Sequence, residues 1–177
     1  MTIRVRGSGL IAVMCAAIVT VSVQGTSAAI GDNNKACGLL SASEIESILG
    51  AKVALNGSAT MPGGTTQICT GQASNARIML RLVTGLDPGR DRSGSKEKAA
   101  LEIVKQMGGQ VEVKTFGPIV CSTLEPPGSK QQMGYNTTCT VSKDTAMAGI
   151  EVTANNKQAM LPIERLRPLV EKMMGRF

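Results

Sequence analysis

The most pointed candidate for chemistry is Ser93-Gly94-Ser95-Lys96, a Ser-x-x-Lys run at the predicted start of a helix. There a serine hydroxyl can attack, a lysine amine can take its proton, and the helix dipole favours an oxyanion. A small Ser/Lys hydrolase of peptidoglycan-like substrates would use that arrangement, and Ser95-Lys96-Glu97-Lys98 is an overlapping second match. The accompanying motifs are missing. No Ser-Asp-Asn occurs, and Lys114-Thr115 is followed by Phe116 where a glycine is required. Ser95 as a helix N-cap beside solvated lysines accounts for the same residues and is preferred.

Other constellations are weaker. Asp87, Asp91, Ser93, Ser95 and Glu97 form an oxygen-rich run, but their spacing departs from that of a calcium loop, and Arg90 and Arg92 put opposing charge inside it. The methionines beyond residue 30 stand at 61, 79, 107, 133, 147, 160, 173 and 174 without a Met-x-x-Met cluster, so they read as packing and not as Cu(I) ligands. The chain has no His, which removes His-based triads, Cys-His dyads and His-bound zinc or haem. No cofactor or metal is expected.

Arg77 and Arg81 lie two side chains apart on one face of a predicted strand, spaced to grip an anionic headgroup or glycan. They are the expected ligand-binding residues, against the plainer reading of a solvent-facing strand with ordinary charges. The excess of 19 Lys and Arg over 13 Asp and Glu would steer acidic partners toward them. Nucleic acid is disfavoured. No dense basic run exists, and Phe116, Tyr135 and Phe177 are too few aromatics for a base-stacking platform.

The elements that must hold these residues follow from pattern. Ser41 and Glu44 form a capping box, Leu40 and Ile45 the matching hydrophobic staple, and Gly50 a left-handed stop, which predicts a helix over 42–49. Strands are expected at 51–55 and 65–70, and at 76–83, where Ile78, Leu80 and Leu82 alternate with Arg77, Met79 and Arg81. A polar loop, 86–95, precedes a helix over 96–107 ended by Gly108-Gly109. Strands at 111–115, 119–124, 133–141 and 146–153 come next, then a helix from about 162 to 175 with a kink or fresh start at Pro168. The order predicts an α+β domain, an antiparallel sheet with helices packed on one face, over residues 30–177.

Residues 1–29 read as a secretory signal peptide: Arg4 and Arg6, the apolar run Leu10–Val23, then small residues with cleavage after Ala28 or Ala29. The run is too short to span a bilayer, so no transmembrane anchor is expected after cleavage. Loss of the signal lowers the net charge from +6 to about +4. It also turns five cysteines into an even set, Cys37, Cys69, Cys121 and Cys139. Their spacing matches no zinc motif and contains no Cys-x-x-Cys, so two structural disulfides are expected in a periplasmic or extracellular protein. Three pairings exist; Cys37 with Cys69 and Cys121 with Cys139 closes the shorter loops and is favoured.

The opening Cys37-Gly-Leu-Leu-Ser41-Ala-Ser-Glu44-Ile45-Glu-Ser-Ile48-Leu49-Gly50 resembles that of a family of small exported bacterial proteins of unknown function, often lipid-anchored. The resemblance continues loosely through Cys69, the 96–107 helix and the terminal helix. It implies a curved antiparallel sheet flanked by helices, similar to the fold of the photosystem P-subunit and related binding domains, and it supplies no catalytic residues. The expected function is therefore that of an exported, non-enzymatic envelope protein binding an anionic ligand or a protein partner. A secreted inhibitor or immunity protein and the Ser/Lys hydrolase are the alternatives.

Overall fold

The structure, a computed structural model, describes residues 34–87 and 102–177. The predicted signal peptide, most of the loop and the first part of the second helix lie outside the described residues. Helix α1, Ala42–Leu49, has the anticipated bounds, because its code is local. The Ser41 hydroxyl accepts from the Glu44 amide, the Glu44 carboxylate accepts from the Ser41 amide at 2.9 Å, and Gly50 closes the helix at φ 70°. Leu40 and Ile45, the staple pair, are fully buried.

Strands β1 (Ala54–Thr60), β2 (Thr66–Ala73) and β3 (Ala76–Val83) form one antiparallel meander. Helical residues 102–106 (α2) lead through Gly108 and Gly109 into a second meander, β4 (Gln110–Phe116), β5 (Ile119–Glu125), β6 (Tyr135–Lys143) and β7 (Ala146–Ala154). β3 and β7 join the two along an antiparallel seam, giving one open, curved, seven-stranded sheet of order β1-β2-β3-β7-β6-β5-β4. Helix α3, Ile163–Met174, closes the chain and runs through Pro168 as one element, in keeping with the apolar phase held across that proline. The first strand is a correction: it starts at Ala54, not at residue 51, and extends past the expected end to Thr60. Before β6, residues Gly128–Met133 form a 3-10 turn in place of the expected beginning of that strand.

The sheet has two unlike faces. Ile78, Leu80 and Leu82 of β3, Ala148, Ile150 and Val152 of β7, and Cys139 and Val141 of β6 are buried on the first. Against them pack Ile45 of α1 and Leu166, Leu169, Val170 and Met173 of α3, all in one continuous core. Burial of each such side chain contributes about 1.5–3 kcal/mol before entropy is counted. Thr137, the core's one fully buried polar side chain among the described residues, donates to the Leu161 carbonyl at 2.6 Å and anchors the approach to α3.

Both disulfides form in the favoured pairing. Cys37–Cys69 ties the 3-10 turn Lys35–Gly38 before α1 to β2, and Cys121–Cys139 links directly opposite residues of β5 and β6. Two cystines are the state expected of a chain that folds in an oxidising compartment. Among the described residues no helix is long and apolar enough to cross a membrane.

Candidate functional site

The helix-covered face offers little to a ligand. Its polar groups are internally satisfied, since among the described residues no buried side-chain nitrogen or oxygen lacks a partner. Recognition chemistry must therefore be sought on the opposite, open face, and strand alternation sends Arg77 and Arg81 there.

Arg77 and Arg81 are both exposed on β3, the strand at the seam between the meanders, and neither makes an ion pair with a described residue. Across the sheet Arg77 stands between Gln72 of β2 and Thr153 of β7, while Arg81 stands between Ile68 and Gly149. The half-buried Met79 separates them and faces Thr70 and Glu151. Arg77 and Arg81, four residues apart on one face of the strand, lie roughly 13 Å apart at their Cβ atoms, a span that two long arginine side chains can bridge onto one extended or multivalent anion.

Gly149 gives this row its shape. A Cβ at that position would meet Thr140 Cγ2 at 2.9 Å and the Cys139 carbonyl oxygen at 3.2 Å, so the position excludes a side chain and leaves Arg81 flanked by bare backbone. Beyond it, β6 presents Asn136, Thr138, Thr140 and Ser142 on the same face. The Asn136 amide donates to Glu151 at 2.7 Å and to the Thr153 hydroxyl at 3.2 Å, and Thr138 donates to the Asn136 amide oxygen at 2.8 Å. Glu151 is diagonal to both arginines in the register, yet its carboxylate turns to Asn136 and Thr153. Among the described residues the two cationic heads are thus without an acidic partner, beside a row of hydroxyls and amides suited to further hydrogen bonds.

Sequence reasoning singled out the two arginines and did not weigh the polar row beside them. Its signal was present: Asn136, Thr138, Thr140 and Ser142 alternate with Thr137, Cys139 and Val141. What pattern alone withheld was that β7, and β6 beyond it, stand beside β3. Of the other candidates, Ser93, Ser95, Lys96, Asp91 and Glu97 lie outside the described residues, whereas Asp87 lies just past β3, at the edge of them. Among the described residues, Cys, Asp and Glu side chains form no group of three or more able to hold a metal.

Comparison with family models, with curated proteins and with solved structures gives no match for this chain.

Proposed function

We propose that this protein is an exported, non-enzymatic envelope protein, periplasmic or extracellular, that holds an anionic ligand against the open face of its sheet. Arg77 and Arg81 supply the charge, and the hydroxyls and amides of β6 and β7 supply neutral hydrogen bonds. The observation that carries the reading is the pair of exposed guanidiniums on the seam strand, without an acidic partner among the described residues. Elsewhere on the described surface cations are commonly paired: Lys114 with Glu164 and Glu112, Lys157 with Glu125, and Arg176 with Glu44. The two disulfides support the compartment.

The reading is tested by titrating the protein with a sulfated oligosaccharide and, separately, with an acidic oligopeptide at low ionic strength. Arg77→Ala/Arg81→Ala should weaken binding of the preferred probe at least about tenfold, with unfolding behaviour unchanged. Added salt should weaken the wild-type complex in the same direction. Equal binding by the double variant would refute the assignment of the site.

A further inference from the structure

The two edges of the sheet are finished differently. At β1 the ladder is broken by a bulge between Leu55 and Gly57, a device that blunts an edge. At the far edge β4 pairs with β5 without interruption over all seven of its residues, Gln110 to Phe116.

The cystine reveals which backbone groups of β4 face away from β5. Cys121 and Cys139 face each other with their Cα atoms only 4.0 Å apart, the spacing of a non-hydrogen-bonded pair. The amide and carbonyl of Cys121 therefore turn to β4, where its partner is Lys114. Alternation then directs the backbone groups of Gln110, Glu112, Lys114 and Phe116 to β5. Those of Val111, Val113 and Thr115 point away from the sheet.

We infer that this edge pairs with β4 of a second copy of the same chain, antiparallel and centred on Val113. In that register Val113 exchanges both backbone hydrogen bonds with its own copy, and Val111 exchanges both with Thr115 of the second copy. The outward-facing residues thus meet only one another. Glu112 falls opposite Lys114 of the second copy and Lys114 opposite its Glu112, in the closer, non-hydrogen-bonded positions. Within one chain Lys114 already lies 3.0 Å from Glu112. The two strands together therefore make a square of alternating charge. Sliding the register by two residues either way puts Glu112 against Glu112 or Lys114 against Lys114, which is repulsive. Val113, 50 % exposed on the open face, gains the valine of the second copy as its direct neighbour in the centred register.

Cross-strand partners share a face, so the two open faces become one continuous surface. Its two Arg77–Arg81 pairs stand nine strands apart, about 43 Å along the sheet. A long anionic chain could then engage both at once, although the pairing itself does not depend on the binding role of the arginines.

Sedimentation of the purified full chain from micromolar to millimolar concentration tests the pairing. The wild type should pass from monomer to dimer. Val113→Pro removes an amide that points away from β5 and should remain monomeric with an unchanged circular dichroism spectrum. Glu112→Lys, which leaves the backbone intact, should weaken association roughly tenfold or more. The exchange Glu112→Lys/Lys114→Glu should restore it. A wild type that stays monomeric throughout, a Val113→Pro variant that associates normally, or a folded exchange variant that fails to recover would each overturn the inference.

Discussion

Glu44 joins local and distant structure in one side chain. As the third residue of α1 it completes the capping box with Ser41, a role written in the Ser-x-x-Glu spacing. Its two carboxylate oxygens also each accept at 2.8 Å from Arg176, 132 positions further on, with Lys172 3.5 Å away. Arg176 donates in turn to the Leu39 carbonyl, locking the chain's end over the start of α1. The second role was illegible in the sequence, because no spacing rule links residues so far apart. Chiefly the Arg176 hydrogen bonds, then the Ser41 amide, hold the Glu44 carboxyl well below the usual carboxylate range. A native value below the unfolded one stabilises the fold fully above the ordinary value of 4.5, and that contribution fades as pH falls toward the depressed native value. Glu44→Gln should therefore cost about 1–2 kcal/mol near neutrality. The gap from wild type should narrow toward about pH 3, as denaturant titrations at the two pH values would report. A gap that is constant with pH would mean the carboxylate's charge contributes nothing.

Among the elements, those with a self-contained code were the legible ones. Helix α1 has its cap, staple and stop between Leu40 and Gly50, and β3 has clean alternation of buried and more exposed side chains. Strand β1, Ala-Leu-Asn-Gly-Ser-Ala-Thr, has neither. Small polar residues and a bulge let its position be set by pairing with β2, which is why sequence pattern put it too early. Helix α3 survives Pro168 because its buried stripe, Ile163, Leu166, Leu169, Val170 and Met173, packs on both sides of the proline, and this packing outweighs one lost hydrogen bond. The cysteines were read correctly as a pairing, but not as devices with distinct tasks. Cys121–Cys139 reinforces strands that already neighbour each other. Cys37–Cys69 fastens the turn before α1, which has no sheet ladder of its own, to β2. Its separation of 32 residues predicts that Cys37→Ala/Cys69→Ala costs about 3–4 kcal/mol in denaturant unfolding. A loss under about 1 kcal/mol would mean the turn is held by its other contacts.

At the scale of the whole molecule, the class was legible and the assembly was not. Alternating strands and three amphipathic helices foretold one sheet with one covered face. The seam of β3 with β7, which closes two meanders into a single sheet, depends on contacts between residues some seventy positions apart and leaves no mark in local pattern. That seam sets Arg77 and Arg81 beside Gly149, Glu151 and Thr153 and makes a surface out of two isolated charges. The core in turn depends on one side of the sheet, where α1, α3 and both cystines lie, so the other side is free to vary its chemistry at small cost in stability.

Amide chemical-shift mapping with the preferred anionic probe tests that division most directly. Changes confined to β3, β6 and β7 around Arg77, Arg81, Gly149 and Thr140, with α1 and α3 silent, are the result expected of an anion held on the uncovered side. Changes centred on the helices, or none at saturating probe, would contradict it.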